Sequence, residues 1–382
     1  MKWPTKTLEQ ISINLDSKRI PITKAARIGG EYPYYGASGI VDFVDDYIFE
    51  GNALLISEDG ANLLARSTPI AFPASGKYWV NNHAHILKFE SMTTQRFVEL
   101  YLESITLEGY ITGAAQPKLN QKALNSIKIP FPELSEQQRI VAILDEALEG
   151  IAKARYNAGK NLKNARELLE HYLRSIFAPR DGKWKIKRLG EMVTFRNGIN
   201  FNKSSKGELI KILGVRDFQT SYWAPLDKLE SIIPDGTLPD SDMLQKDDLV
   251  FVRSNGNPEL IGRCLLIGDI SERATHSGFT IKARLHSTEI SPKYLCHFLK
   301  SNSARRAMID GGNGANIKSL SQGTLSNLEI PFPIIKEQTQ IVGLIETLQE
   351  KVQVLESIYR RKLATLDELR KSILHQAFSG NL

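Results

Sequence analysis

Ile129-Pro130-Phe131-Pro132, followed by Glu136-Gln137 and Ile140-Val141, returns 201 positions later as Ile330-Pro331-Phe332-Pro333, Glu337-Gln338 and Ile341-Val342. Downstream the register holds without a gap through Leu162/Leu363, Glu167/Glu368, Leu168/Leu369 and Leu173/Leu374 to Phe177/Phe378. Upstream it still matches Gly113-Ala114 with Gly314-Ala315, Leu119 with Leu320, Gln121 with Gln322 and Leu124 with Leu325. A period this long is no solenoid unit; it marks a duplicated half-protein. Duplicated halves imply two-fold pseudosymmetry, facing something that is itself two-fold.

The prolines forbid helix and leave an extended entry. Ser135 is the expected N-cap of a long helix, with Glu136 and Gln138 in the first turn. Apolar residues then fall at Ile140, Leu144, Ala147, Ile151, Ala154, Ala158, Leu162, Ala165, Leu169, Tyr172 and Ile176. That is a heptad stripe with one four-residue stutter. It ends at Ala178-Pro179-Arg180-Asp181-Gly182. A second stripe runs through Ile341, Ile345, Leu348, Val352, Leu355, Tyr359, Leu363, Leu366, Ile373 and Ala377. Arg370 interrupts it where the first helix has Leu169, and Leu369 is expected to rotate in beside it. A helix of about 43 residues is roughly 65 Å long, about 19 base pairs of duplex. Its seam needs a partner, and the economical one is the other helix, antiparallel.

Four segments result: block A (1–133), a long helix (134–179), block B (180–334) and a second long helix (335–382). Block A carries short apolar runs, Ala53-Leu54-Leu55-Ile56 and His85-Ile86-Leu87-Lys88-Phe89, bounded by the turns Glu58-Asp59-Gly60 and Ala74-Ser75-Gly76, which read as strands. A shorter helix is expected over Thr94 to Ser104. Block B repeats this logic in different words: Trp3-x4-Leu8 becomes Trp184-x4-Leu189, and Leu54 to Gly60 is echoed by Val250 to Gly256. The fold class is therefore mixed α/β, in two blocks joined by an antiparallel coiled-coil spacer.

The chain has 382 residues, a net charge of +6 and a pI near 9.0. That allows two or three domains and leans weakly toward a polyanionic partner. Cys264 and Cys296 have no metal-ligand spacing, and a reducing cytoplasm is expected. Met1 to Gln10 lacks the apolar run of a signal peptide, and nothing is apolar over a membrane-spanning length.

Two dissimilar blocks, each ending in Ile-Pro-Phe-Pro…Glu-Gln…Ile and a long helix, resemble the specificity subunit of Type I restriction-modification systems. In block A, Tyr34-Tyr35-Gly36-Ala37-Ser38-Gly39-Ile40, the turn Glu58-Asp59-Gly60-Ala61-Asn62 and Trp79-Val80-Asn81-Asn82-His83-Ala84-His85 look like the family's target recognition domains. Block B looks like another subclass through Leu249-Val250-Phe251-Val252-Arg253-Ser254-Asn255-Gly256. The resemblance implies a non-catalytic reader of double-stranded DNA, with each block reading one half of a split target. The helices would be ruler and docking surface for two methyltransferase subunits and for restriction-translocase subunits. S-adenosylmethionine, ATP and Mg²⁺ would belong to those partners, and none to this chain. Pro130, Pro132, Glu136 and Gln137, with Pro331, Pro333, Glu337 and Gln338, are the expected partner-binding and spacer positions.

The residues also argue by omission. Asn257-Pro258-Glu259-Leu260 lacks the second proline and the aromatic of an amino-methyltransferase motif. Gly312-x4-Ile317-Lys318-Ser319 has Ile317 where a phosphate loop needs glycine. No Pro-Asp precedes an acid-x-Lys triplet at nuclease spacing.

For DNA reading, Lys77-Tyr78-Trp79-Val80-Asn81-Asn82-His83 gathers groups that hydrogen-bond phosphates and adenine. The competing reading is a strand end with a core Trp and a turn-forming Asn pair. Arg253-Ser254-Asn255-Gly256-Asn257 offers a guanine-reading fork beside amides. Tyr34, Tyr35, Ser38, Asn62, Arg196, Asn197, Arg216 and Arg263 complete the candidates, each also readable as ordinary surface; His276-Ser277 and Lys282-x-Arg284 are lesser ones. His83 and His85 point the same way on a strand, but no third metal ligand lies nearby. The charge runs Lys183 to Arg188 and Arg360-Arg361-Lys362 read as solvated faces. Two rival functions remain open: a helical scaffold bearing carbohydrate- or protein-binding modules, and a fused methyltransferase.

Overall fold

The computed structural model describes residues 3–113, 116–178, 182, 184–201, 206–218, 222–310 and 319–382. The matched Ala114, Gly314 and Ala315, the glycine turn at 312–318, the helix stop at 179–181 and Lys183 lie outside the described residues. The chain forms two compact units, residues 1–160 with 359–382, and residues 161–358. No described helix is long and apolar enough to cross a membrane.

In the first unit the chain runs β1 (Thr5–Thr7), α1 (Leu8–Ile11), β2 (Ile13–Asn14), β3 (Gly29–Gly36), β4 (Gly39–Val44), β5 (Phe49–Glu50), β6 (Ala53–Ser57), α2 (Asn62–Ala65), β7 (Ala71–Ala74), β8 (Lys77–Val80) and β9 (Ala84–Lys88). Then come α3 (Met92–Ser104), α4 (Gln121–Asn125), β10 (Lys128–Pro130) and the long helix α5 (Leu134–Ile176). An antiparallel sheet of order β2-β9-β6-β7 lies against a mixed sheet of order β4-β3-β8-β5, in which β3 and β8 are parallel. Strand β6 is buried on both faces. Leu54 and Ile56 join a core with Phe97 and Leu100 of α3, while Ala53 and Leu55 join one with Tyr78, Val80 and Ile86. That is why its sequence is an unbroken apolar run and does not alternate.

The second unit has β11 (Lys185–Arg188), β12 (Val193–Asn197), β13 (Ile210–Leu213), β14 (Glu230–Ile232), β15 (Leu249–Val252), β16 (Cys264–Leu266), β17 (Ala274–His276) and β18 (Thr280–Leu285). It continues through α6 (Pro292–Lys300), α7 (Asn302–Asp310), α8 (Gln322–Ser326) and β19 (Glu329–Phe332) to α9 (Ile335–Ser379). Its antiparallel sheet has the order β12-β18-β15-β16, and its second sheet the order β14-β13-β17 with β13 and β17 parallel. Strand for strand this is the plan of the first unit, save that β5 has no counterpart in the second. β10 pairs β1 and β19 pairs β11, both antiparallel. Strand β15 repeats the double burial: Leu249 and Phe251 face one core, Val250 and Val252 the other. The sequences diverge and the topology does not.

The stripes meet as antiparallel neighbours within each unit. In the first, Ile140 and Leu144 of α5 share a core with Leu374, Ala377 and Phe378 of α9. In the second, Leu173, Ile176 and Phe177 of α5 share one with Ile341, Val342 and Ile345 of α9. All eleven stripe positions of α5 are buried or half-buried. Several expectations are corrected, and Leu355 of the second stripe is exposed instead of buried on the seam. Leu369 stays exposed, and Arg370 remains half-buried on the seam because its guanidinium pairs with Glu103 of α3 at 2.6 Å. Ser135 is not the cap: α5 begins one residue earlier, where the Glu133 carbonyl accepts from Gln137 N–H at 3.0 Å. Helix α3 likewise starts at Met92, two residues earlier than expected, because Ser91 caps it through the N–H groups of Thr93 and Thr94.

Gln137 and Gln338 are both buried. Each donates Nε2 to a prolyl carbonyl at 2.8 Å, Pro132 for one and Pro333 for the other. Gln137 also accepts from Thr94 Oγ1 at 2.9 Å, and Gln338 accepts from Ser291 N–H at 2.7 Å and donates to the Glu289 carbonyl at 2.8 Å. These amides lock each helix to the block before it. They are not the surface docking groups the sequence suggested, and Pro130, Pro132 and Pro333 are buried with them. Pro331 is half-buried, and Glu136 and Glu337 stay half-exposed, Glu136 paired with Arg139 at 2.8 Å. A repeated ion pair backs the joint: Arg96–Asp145 at 2.7 Å and Lys293–Glu346 at 3.1 Å.

Replacing Gln338 by Leu orphans its partners in a buried joint, so unfolding experiments should show a loss of about 1–3 kcal/mol per orphaned group. Burial pushes Glu99 of α3 up to about 7; Arg96 opposes that and Glu103 adds to it. A raised carboxyl stabilises the fold while protonated. That contribution is complete below the ordinary glutamate range near 4.5 and is lost as pH rises through about 7. Melting curves should therefore fall between pH 5 and 8 by an amount worth about 1–3 kcal/mol, and Glu99→Gln should flatten that slope.

Candidate functional site

In the first unit three segments come together at one end of the sheets: the turn between β3 and β4, the segment after β6, and the turn between β8 and β9. Ser57 donates through Oγ to the Ala37 carbonyl. Glu58 N–H donates to the His83 carbonyl at 2.9 Å, and Asn81 N–H to the Tyr35 carbonyl at 3.0 Å. The His83 ring meets Asp59 at 2.8 Å. Gly36 is closely packed, since a Cβ there would lie 2.9 Å from Val41 Cγ1 and would require that side chain to shift. Ser38, Asn82 and His83 project outward from this cluster, and Lys77 is exposed with its ammonium 4.4 Å from the Tyr47 ring.

Beneath the cluster lies a polar buttress. His85 is fully buried, with Nδ1 2.5 Å from Asp16 and Nε2 2.7 Å from the Leu119 carbonyl. Arg19 holds Glu58 at 2.6 Å, and Lys118 reaches it at 3.2 Å. The Asp16 and Glu58 carboxyls lie below the ordinary range: burial opposes this, but their cationic and hydrogen-bonding neighbours outweigh it. His83 lies outside β9 and His85 inside it, so the two do not form a pair on one strand face. No group of three or more His, Cys, Asp or Glu capable of holding a metal occurs among the described residues.

Several expected readers turn out to be architecture. Tyr34 is buried with its hydroxyl against the N–H and carbonyl of Ile22, and Tyr78 is buried between Phe49 and Tyr35. Tyr35 is half-buried beside Phe72. Asn81 is buried and accepts from His83 N–H at 2.8 Å, and Asn62 ties down Ser67 and Thr68. Asn side chains satisfy nearby backbone in turns as readily as they read a base.

The second unit builds its site from equivalent positions. The segment after β13 (Gly214-Val215-Arg216), the segment after β15 (Ser254-Asn255-Gly256) and the turn between β17 and β18 (Ser277-Gly278-Phe279) line a cavity of about 450 Å³, together with Phe201 and Glu230. Phe279 is 60% exposed at the turn. Ser277 is buried, and its Oγ has no hydrogen-bond partner among the described residues. Arg216 pairs with Glu230. Arg253 donates N–H to the Phe279 carbonyl at 2.8 Å, which anchors the turn. Behind the cavity, burial drives the His276 imidazole down to about 3 and the Lys282 ammonium down to about 8; Lys282 Nζ donates to the Ser241 and Met243 carbonyls.

The sequence candidates divide here too. Arg216, Ser254 and Asn255 line the cavity. Asn255 and Asn257 also cap local backbone, at 2.8 and 3.0 Å, Arg196 pairs with Asp242, and Asn197 accepts from Gln322 at 3.0 Å. Arg263 donates to the Phe218 and Glu259 carbonyls. Phe201 and Phe279 were missed by sequence reasoning. An aromatic directly after Ser-Gly in a turn was the one available signal.

Both sites thus sit after corresponding strands of one plan, with different side chains. The family model described as Type I restriction modification DNA specificity domain matches residues 1–158 and again residues 181–360. The chain belongs to that family of DNA specificity subunits. It is 27% identical over 357 residues to a putative type I restriction enzyme specificity subunit of Haemophilus influenzae, covering 91% of this chain and 88% of that one. With the EcoKI specificity subunit of Escherichia coli it shares 26% over 321 residues, 78% of this chain and 68% of the other. Two solved structures share the fold at 16% identity. One is a chain from work on complex assembly and conformational transition of the type I R-M system (TM-score 0.73, covering 100% of this chain and 98% of that one). The other is the HsdS subunit of Thermoanaerobacter tengcongensis (TM-score 0.56, 100% and 97%). The relatives are named as specificity subunits, the DNA-recognition component and not the catalytic one.

Proposed function

We propose that this specificity subunit reads a bipartite, asymmetric DNA target, one half through each three-segment site, and seats two identical methyltransferase subunits and the restriction-translocase subunits around it. The observation that carries the reading is the pairing of a repeated plan with unrepeated tips. Ser38 in one site stands where Arg216 stands in the other, Asp59 where Asn255 stands, and Asn82 and His83 where Ser277 and Phe279 stand. Equivalent scaffolds suit equivalent partners, and different tips suit different bases. Side-chain amides, hydroxyls and imidazole on turns are groups that reach base edges in the major groove, and a guanidinium serves either base or phosphate.

The outward faces of the long helices support the partner half of the reading. Leu134, Ile143 and Leu168 of α5 are exposed, and their counterparts 201 positions on, Ile335, Leu344 and Leu369 of α9, are exposed as well. Repeated exposed apolar residues fit two copies of one partner. S-adenosylmethionine, ATP and Mg²⁺ would then act in those partner subunits, in the cytoplasm, where the DNA is.

Methylome sequencing of cells expressing the chain with a methyltransferase partner should return one split motif. Asn82→Ala or His83→Ala should relax only one half of it, and Arg216→Ala or Ser277→Ala only the other, by about tenfold per affected base. Equal weakening on all sequences would assign these groups to phosphate. A gel shift on random duplexes that enriches no split motif would favour a scaffold with protein- or carbohydrate-binding modules. Paired four-residue insertions near Gly159 and Arg360 should widen the gap between half-motifs by about two base pairs; an unchanged gap would refute the ruler.

A further inference from the structure

The duplication creates a pairing problem. The buried positions of the two long helices are largely the same: Ile140/Ile341, Leu144/Ile345, Ile151/Val352, Leu173/Leu374 and Phe177/Phe378 are buried in both members of each pair. The seams differ in size where buried Ala158 and Ala165 of α5 correspond to half-buried Tyr359 and Leu366 of α9, but the five shared apolar pairs would still let α5 bury much of its stripe on the α5 of another copy. Discrimination beyond that size difference falls to seam-edge positions at which the helices carry different charges.

Two such positions carry charge. In the first unit Arg155 of α5 pairs with Asp367 of α9. In the second, Arg166 of α5 pairs with Glu356 of α9 at 2.8 Å. These are one contact seen twice, since 356 is the counterpart of 155 and 367 the counterpart of 166. At both positions the cation lies on α5 and the anion on α9. If two α5 helices paired in the same antiparallel register, Arg155 would face Arg166 twice over. If two α9 helices did so, Glu356 would face Asp367 twice over.

We propose that Arg155, Arg166, Glu356 and Asp367 form a charge code that holds α5 to the α9 of its own chain and rejects helix exchange with a second copy. Exposed pairs such as these are individually weak, about 0–1 kcal/mol. Their force is in the contrast, because homotypic pairing turns every attraction into a repulsion of like sign.

A two-site variant of the full chain isolates the effect: Arg166→Glu with Glu356→Arg. Both contacts within the chain survive, one of them inverted. Each helix now carries one cation and one anion, so homotypic pairing finds opposite charges. The variant and its parent are refolded together from denaturant at low salt and measured by size-exclusion chromatography with light scattering. The variant should show at least about tenfold more exchanged dimer at equal concentration, and the excess should vanish near 1 M salt. Its melting temperature should stay within about 2 °C of the parent. A four-site reversal, adding Arg155→Asp and Asp367→Arg, puts all anions on α5 and all cations on α9 and should return to the parent's behaviour. The proposal is overturned if the two-site variant exchanges no more than the parent, if it fails to fold, or if the four-site reversal exchanges as much as the two-site variant.

Discussion

An apolar stripe on a helix of 43 residues has to be covered, and that constraint organises everything else in this protein. Neither helix holds its length through intrinsic propensity, since helices in proteins gain most of their stability from packing one face. Here the first turns of α5 share a core with the last turns of α9, and the last turns of α5 with the first of α9. The same cores take in the sheets and the helices packed on them: Leu54 and Phe97 in one unit, Leu249 and Tyr294 in the other. Helix pairing and block folding are thus one cooperative event in each unit. The buried glutamines fix the angle at which block and helix meet, because an amide with every partner in place tolerates little rotation.

With the frame so determined, variation is confined to what the frame does not need. Strands β6 and β15 differ in sequence yet have the same two-faced burial. Just past their ends, at Glu58-Asp59 and Ser254-Asn255, the side chains join neither apolar core, and they differ between the two blocks. The clusters at those ends are stiffened in different ways. One rests on the Asp16–His85–Glu58–Arg19 network, the other on the Arg253 anchor and a buried Lys282.

The long helices and the double-buried strands were legible in the sequence because periodicity reports burial directly. Every predicted seam residue of α5 is buried or half-buried. Less legible was anything decided by a hydrogen bond. A repeated polar pair such as Gln137 and Gln338 looks the same in sequence whether it faces a partner subunit or a prolyl carbonyl. Tyr34 and Tyr78 looked like readers because tyrosine suits both surfaces and cores, and only packing separates the two. The mixed sheets left little trace: β5 and β14 have two and three residues, too few to alternate. Ser277 and Phe279 belong to a site only because a turn, a 3-10 segment and a strand end converge from distant parts of the chain.

The first unit holds the start of the chain and also its last turns, with Leu8 near one end and Phe378 near the other in a single core. Chain order is then a convention of the gene more than a requirement of the fold. Opened between α5 and β11, with its present ends joined by a short linker, the same polypeptide would begin with block B and still bury every seam residue against the same neighbour. A protein of this kind is circular in its physics and linear only in its synthesis.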